Sequence, residues 1–148
     1  MPANQHEFDF SQYDYVVDAV DTVAAKIAIV LAAKAAGVPV ISSMGAGNKV
    51  NPAMFEVADI YKTKVDPLAR VMRQAMKKNN IKKLKVVYSQ ELPLLPINEE
   101  IESECHAETS KRRALPGSNA FTPSVAGLII ASEVIKDLVG WDDSHRKD

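Results

Sequence analysis

The 148 residues carry 18 basic and 19 acidic side chains, a net charge of −1, and 47% are hydrophobic. This length predicts one domain with a core that needs no disulfides. The single cysteine, Cys105, excludes an internal disulfide framework and a paired-cysteine zinc site, so we predict a cytoplasmic protein. The longest apolar stretches are too short to cross a bilayer, which predicts no membrane partner.

The charges are distributed unevenly along the chain. Residues 62–85 hold nine basic side chains and one acidic side chain, a net charge of +8, so the remaining residues carry −9. Residues 1–21 contain acidic side chains but no lysine or arginine. This asymmetry indicates either a polyanionic partner for the basic region or a solvated helical face.

The first predicted element is a buried strand. Val16, Val17, Ala19 and Val20 form a near-continuous apolar run, which is typical of a parallel strand covered on both faces. The preceding residues 1–12 are polar, and their alternating phenylalanines indicate a short edge strand.

Asp21 follows that strand directly, at the point where a helix is predicted to start. Ligands of open α/β sheets bind at this edge, beside helix N-termini that attract anions. The Asp21 carboxylate is therefore a candidate ligand or catalytic group. The alternative is that Asp21 or Thr22 only caps the helix by accepting its free amide hydrogens.

A helix is predicted for residues 22–36 and a strand for residues 38–41. The helix ends at Gly37 and keeps Lys26 outside its apolar stripe. A strand, a helix and a strand in this order form a right-handed unit with parallel strands. The apolar stripe consists of Val23, Ile27, Val30 and Leu31.

Gly45 and Gly47 lie in the small-residue loop that follows and match part of a dinucleotide-binding fingerprint. Val50 stands where the third glycine would be, and an extended run at residues 54–60 replaces the helix whose amides such a site needs. A dinucleotide site is therefore excluded. We interpret the two glycines as allowing a tight backbone path at the ligand edge of the sheet.

The second helix is predicted to begin with Asp66 as its N-cap and Pro67 at its first position. Its buried stripe consists of Leu68, Val71, Met72, Ala75 and Met76. A strand is predicted at residues 84–89. The lysines between helix and strand either contact nucleic acid or form a solvated surface. They are Lys77, Lys78, Lys82 and Lys83.

Residues 97–119 are predicted to form a long flexible loop, because they combine mixed charge with no periodicity. Cys105 and His106 in this loop are either a partly activated thiol or an incidental surface pair.

Thr122 and Pro123 are predicted to begin the last helix, which continues to Val139. Its first two turns are almost entirely apolar, so we place them in the core or in a subunit interface. The polar tail at residues 141–148 is predicted to fray.

Five segments resemble, in order and spacing, the ThiF/MoeB/HesA superfamily of ubiquitin-activating-like adenylating enzymes. They are VDAVDT (17–22), PVISSMGAG (39–47), VADIYKT (57–63), DPLA (66–69) and PSVAG (123–127). Within the superfamily, the chain is most similar to the tRNA threonylcarbamoyladenosine dehydratases. The resemblance implies an α/β class and an incomplete Rossmann-like adenylating-enzyme fold, with a mixed sheet and flanking helices.

The resemblance also implies a chemistry. ATP and magnesium adenylate a carboxyl group, in the dehydratases that of a threonylcarbamoyl group on tRNA, and an internal attack then closes a ring. Asp21 matches the family's strand-end aspartate, so it is expected to be catalytic and to bind ATP and magnesium. Lys26 lies near the family's basic position and is expected to bind the cofactor. The lysines at positions 77, 78, 82 and 83 are the expected tRNA contacts.

The sequence departs from the family pattern in what it lacks. The family's glycine-rich phosphate loop, with the arginine and lysine that follow it, has no match here. We therefore expect a single domain, residues 1–148, that corresponds to the C-terminal half of such an enzyme and is inactive without the other half. The cysteine that some dehydratases carry shortly before the last helix has no match, and neither do the paired CxxC motifs of sulfur-transfer relatives.

An unpaired strand edge in such a half-sheet predicts a homo-oligomer, with tRNA or the N-terminal half as further partners. The alternative function is a non-catalytic binding module of the same half-fold that self-associates as a homodimer through the last helix.

Overall fold

The computed structural model describes residues 8–95, 117–144 and 146. The predictions for Cys105, His106 and most of the loop at 97–119 fall outside these ranges. No helix within them is long and apolar enough to cross a membrane. The described strands and α-helices are β1 (Val16–Asp18), α1 (Val23–Ala35), β2 (Val40–Ser43), β3 (Phe55–Asp59), α2 (Pro67–Lys78), β4 (Lys85–Ser89) and α3 (Thr122–Leu138).

The strands form one mixed sheet in the order β1-β2-β4-β3. β1, β2 and β4 are parallel, and β3 runs antiparallel to β4. The predicted strand-helix-strand unit is confirmed, because β1 and β2 are parallel neighbours joined by α1. The predicted α/β class with a mixed sheet and flanking helices is confirmed as well.

The two faces of the sheet carry separate apolar cores. Side chains alternate across a strand, so Val86 of β4 joins the core formed with α1 and α2, whereas Val87 joins the core formed with α3. Met72 of α2 is fully buried in the larger core, and Ile130 of α3 is buried in the smaller one. The helices therefore lie on both faces, which leaves the ends of the strands accessible.

Two helix boundaries confirm the sequence predictions. α1 ends before Gly37, whose φ of 72° is the left-handed conformation that glycine adopts most readily. α2 begins with Asp66, which accepts a hydrogen bond of 2.8 Å from the Ala69 amide, and Pro67 follows at the first helical position.

The prediction that β1 is covered on both faces is wrong. Val17 is 47% exposed, because β1 is an edge of the described sheet and is covered well on one face only. The expected edge strand at residues 8–12 is also wrong where it is described. There the chain forms a 3-10 turn, Phe10–Gln12, because the Asp9 carboxylate accepts a hydrogen bond of 3.0 Å from the Ser11 amide.

In α2, the expected burial of Val71 is wrong, because the buried face of the helix contains Ala69, Met72 and Met76 instead.

α3 departs from prediction at its start. Phe121 is the N-cap residue, not Thr122. The Asn119 side chain takes over the capping duty, because its Oδ1 accepts from the Thr122 amide at 2.7 Å and from the Thr122 hydroxyl at 2.6 Å.

Burial of α3 is one-sided. Ala126 and Ile130 face the sheet, but Leu128 is 69% exposed and Ile135 is 60% exposed. Complete burial of the first two turns in the core is therefore wrong, because only one face reaches the sheet, and the subunit interface stays a prediction.

Candidate functional site

A cavity of about 530 Å³ lies at the carboxyl ends of β1 and β2. Its walls are the turn at residues 19–21, the loop at residues 43–49, and the first residues of α2 and α3. This is the edge at which α/β sheets bind ligands. Asp21, the acidic residue predicted to lie at this edge, is part of the cavity wall.

Asp21 lines this cavity and is exposed to solvent. The Thr22 hydroxyl donates to its carboxylate at 3.3 Å. Thr22 occupies the N-cap position of α1, but its side chain makes no capping hydrogen bond. The capping interpretation of these two residues is therefore not supported, and Asp21 is part of the cavity wall.

Lys26 is completely buried, so its expected position outside the buried stripe of α1 is wrong. Its Nζ donates to the carbonyls of Val20 at 3.0 Å and Ser43 at 2.7 Å, and lies 3.0 Å from an Asp18 carboxylate oxygen. Burial of an ammonium group requires such partners. Cofactor binding by Lys26 stays a prediction, and this geometry does not favour it.

Asp18 is the partner that the sequence analysis missed. It is fully buried, and it accepts hydrogen bonds from the Ser42 hydroxyl and, at 3.3 Å, from the Val20 amide. The signal was present in the sequence, since an acidic residue inside an apolar strand is almost never buried without a partner. The position of its partner, eight residues ahead on a helix, required the tertiary structure.

Lys49 was missed as well, and it organises the loop that lines the cavity. Its Nζ lies 2.6 Å from the Asp66 carboxylate and donates to the Gly45 carbonyl at 2.7 Å, and both charged side chains are 1% exposed. Its own carbonyl accepts hydrogen bonds from Asn119 at 2.8 Å and from Thr122 at 3.1 Å. One residue thus joins the glycine loop to the N-termini of α2 and α3.

Asn48 holds the chain on either side of residues 96–116. Its carbonyl accepts from the Leu94 amide at 2.7 Å, and its amide donates to the Gly117 carbonyl at 2.8 Å. Its Oδ1 also accepts from the Gly117 amide at 2.6 Å. The φ of 57° that Asn48 adopts is one that asparagine tolerates better than most residues.

The predicted tRNA-contacting lysines lie away from this cavity. Lys77 and Lys78 are in the last turn of α2, whereas the first residues of α2 line the cavity. The 12 residues of α2 span about 18 Å. Lys82 and Lys83 precede β4, and all four side chains are exposed. These four lysines, called here the basic cluster, thus lie at the C-terminal end of α2 and before β4, away from Asp21.

A second charged group lies between the sheet and α3. Asp137 accepts from the Tyr15 hydroxyl at 2.7 Å and from Lys85 Nζ at 2.7 Å, and these hydrogen bonds lower the pKa of Asp137, that from Lys85 most. Burial together with Asp137 raises the pKa of Tyr15. Burial works against the ionised form of Glu133, but Lys136 and Lys85 nevertheless lower the pKa of Glu133. These groups fix α3 on the sheet.

Known proteins are similar to this chain in sequence and in fold. The model of the ThiF family matches residues 1–148. The tRNA threonylcarbamoyladenosine dehydratase of Bacillus subtilis (strain 168) is 44% identical over 136 residues, which are 89% of this chain and 53% of that protein. The tRNA threonylcarbamoyladenosine dehydratase 2 of Saccharomyces cerevisiae (strain ATCC 204508 / S288c) is 36% identical over 138 residues, 84% of this chain and 31% of that protein.

Solved structures of E. coli tRNA N6-threonylcarbamoyladenosine dehydratase, TcdA, have the same fold. The complex with AMP has a TM-score of 0.74 at 23% identity, and the complex with ATP has a TM-score of 0.73 at 24% identity. Each superposition covers 95% of this chain and 54% of the other chain. The chain spans about half the length of the Bacillus relative and of these structures.

Proposed function

Because this chain belongs to the ThiF family, we propose that it forms part of an ATP-dependent adenylating enzyme, a tRNA threonylcarbamoyladenosine dehydratase. The observation that carries the proposal is the exposed Asp21 carboxylate at the rim of the cavity where β1 and β2 end. The names of the relatives and the AMP and ATP complexes of TcdA support the reaction and the nucleotide.

The proposed reaction removes water from a carboxyl group in two steps. An oxygen of the substrate carboxylate attacks the α-phosphorus of ATP, and pyrophosphate leaves. An internal nucleophile then attacks the activated carbonyl, the ring closes and AMP leaves. Both steps develop or move negative charge near the phosphates, where a positioned cation stabilises the transition state.

Magnesium fits the donor set at Asp21. Within the described ranges, no group of three or more His, Cys, Asp or Glu side chains could hold a metal by itself. Magnesium does not need such a group, because proteins commonly bind it through one or two carboxylates together with substrate phosphates and water. Asp21 would supply that carboxylate, and the bound ion would neutralise charge on the phosphates.

We further propose that these 148 residues do not turn over ATP by themselves. Gly45 and Gly47 lead into a 3-10 turn, Pro52–Met54, and then into β3. Helix amides that would cradle a triphosphate are thus missing from this loop. The phosphate-binding elements would come from further polypeptide, and the assembled enzyme would work in the cytoplasm, where a lone cysteine stays reduced.

Two measurements test the nucleotide assignment. Addition of magnesium-ATP to the 148-residue chain should shift the NMR amide signals of Asp21 and of the loop at residues 43–47, and Asp21→Asn should abolish the shifts. Asp14→Asn is the matched control, because Asp14 is an exposed acid before the other end of β1. Absence of any Asp21-dependent shift would refute nucleotide binding at this edge.

The proposed inactivity has its own test. Release of AMP and pyrophosphate should stay at the background level when the 148-residue chain is incubated with ATP, magnesium and threonylcarbamoylated tRNA. The full-length Bacillus relative is the positive control. Turnover by the isolated chain at a rate comparable with that relative would overturn this part of the proposal.

The basic cluster is proposed to contact the tRNA backbone, at a distance from the chemistry. Charge reversal at Lys82 and Lys83 should weaken binding of modified and unmodified tRNA alike. The slope of the logarithm of the binding constant against the logarithm of the salt concentration should become less steep by about one unit per lysine. Unchanged affinity and salt dependence would leave these lysines as a solvated surface.

A second candidate function, self-association through α3, is favoured by the exposed apolar face of that helix. Leu128, Ile135 and Val139 are all more than half exposed and recur at helical spacing. We propose a homodimer formed through this face. Sedimentation should give a dimer that Leu128→Lys and Ile135→Lys convert to a monomer, whereas Val71→Lys on α2 should leave it unchanged. A monomeric wild-type chain would refute this function.

A further inference from the structure

Lys26 is a buried cation, and its geometry leaves no ammonium hydrogen to donate to a nucleotide. An ammonium group has three hydrogens to donate. The three acceptors around Nζ are the Val20 carbonyl, the Ser43 carbonyl and the Asp18 carboxylate, at 3.0, 2.7 and 3.0 Å. These partners use all three hydrogens, and the side chain is 0% exposed, so a phosphate oxygen would have to displace one of them.

The acceptors lie where the β-ladder stops. The last residue pair between β1 and β2 is Asp18 with Ser42. Ser43 directly follows Ser42, Val20 lies two residues after Asp18, and Lys26 bridges the carbonyls of Val20 and Ser43 beyond the β1–β2 ladder. Asp18 completes the bridge, since it accepts from the Ser42 hydroxyl on the neighbouring strand.

Lys26 reaches this place because of its position on α1. It lies in the first turns of the helix, and side chains on a helix lean toward the N-terminus. Its ammonium is thereby directed back to the turn at residues 19–22, which carries Asp21.

We propose that Lys26 is a positioning residue, which ties the carboxyl ends of β1 and β2 together and thereby fixes the backbone that carries Asp21, without touching nucleotide. What this positioning serves rests on the proposed function of Asp21. A carboxylate that must meet a magnesium-phosphate group loses effectiveness when it is displaced by about 1 Å.

The test distinguishes an effect of Lys26 on the turn that carries Asp21 from an effect on the stability of the whole fold. Lys26→Met leaves the Asp18 carboxylate buried without its cation, which destabilises the whole fold. The double variant Asp18→Asn/Lys26→Met removes both charges and should recover most of the lost urea resistance. The carbonyls of Val20 and Ser43 still lack a donor in that variant. The 15N order parameters of the Asp21 and Thr22 amides should therefore fall from about 0.85, the value of rigid backbone, to below about 0.6, the flexible range, while those of Val86 and Val87 are unchanged.

A second readout detects direct contact with nucleotide. In the wild type, the NMR signal of the Lys26 ammonium should stay in place when magnesium-ATP is added, while the Asp21 amide shifts. Wild-type order parameters at Asp21 and Thr22 in a double variant of recovered stability would overturn the proposal, and so would a Lys26 ammonium signal that moves with nucleotide.

The two proposals fail in different ways. No Asp21 shift with nucleotide in the wild type refutes the proposed function. The order-parameter measurement needs no nucleotide, so it still decides whether Lys26 positions the turn.

Discussion

Replacement of Lys49 by methionine should be among the most destabilising single changes in this chain. Lys49 and Asp66 form an ion pair of 2.6 Å in which both side chains are 1% exposed. Methionine keeps most of the side-chain volume but removes the cation. The Asp66 carboxylate then stays buried with the Ala69 amide as its remaining hydrogen-bond donor at 2.8 Å, and the Gly45 carbonyl loses its donor.

The magnitude follows from the burial. Breaking a buried ion pair by removing one partner costs about 3–5 kcal/mol, because an uncompensated charge remains out of water. This is a large part of the roughly 5–15 kcal/mol by which domains are stable. With a urea m-value of about 2 kcal/mol per molar, the unfolding midpoint should fall by about 2 M.

Urea unfolding followed by circular dichroism measures this effect. The double variant Lys49→Met/Asp66→Asn should be more stable than Lys49→Met, because asparagine can still cap α2 and no buried charge is left. Lys62→Met is the control at an exposed lysine and should stay within about 0.5 kcal/mol of the wild type. If Lys49→Met and Lys62→Met unfold at the same urea concentration, the inference that loss of the buried cation strongly destabilises the fold is refuted.

Further outcomes are expected at four other residues. Gly37→Ala should lower the unfolding free energy by about 1 kcal/mol through backbone strain alone, because φ is 72° and an added Cβ meets open space; Gly127→Ala, in the helix α3, should raise it by about 0.5–1 kcal/mol in the same urea assay. Because the folded state lowers the pKa of Asp137 and of Glu133, their ionised carboxylates stabilise the fold above about pH 5, and this stabilisation is lost as the pH falls toward about 3. Asp137→Asn should therefore reduce the pH dependence of the unfolding free energy measured in urea, by no more than about 1 kcal/mol for this surface group. Burial and the hydrogen bond to Glu56 raise the pKa of Tyr88 to about 12, so ultraviolet titration should show two phenols that are still neutral at about pH 10, because the pKa of Tyr15 is raised as well. Tyr88→Phe should remove one of these late ionisations and leave that of Tyr15.

Local sequence signals predicted most of the secondary structure. Gly37 after α1 and the Asp66-Pro67 start of α2 act through backbone conformation and a nearby amide, so neighbouring residues are enough to identify them. The prediction failed where the capping side chain is itself held in place by a residue far away in the sequence. The start of α3 depends on Asn119, whose amide is in turn held by the Lys49 carbonyl, and the sequence separation between these two residues hides that contact.

In the candidate site, too, local features could be predicted from the sequence, whereas contacts between distant residues could not. The apolar strand ending at Asp21 indicated the ligand edge of the sheet, because strand direction and the following helix determine which end of a strand is open. The roles of Lys26 and Lys49 did not follow from periodicity, which only separates polar from apolar positions. A lysine at a buried position is stable only if its acceptors come from other elements, and only the fold brings them together.

The sequence by itself determined the class of fold, the place of Asp21 between β1 and α1, and the family, because these depend on local pattern and residue identity. The tertiary structure decided which charges are buried and which face the cavity. Desolvation is set by every neighbour in space, so Asp18 and Lys26 became one internal ion pair while Asp21, three residues from Asp18, stayed open to solvent.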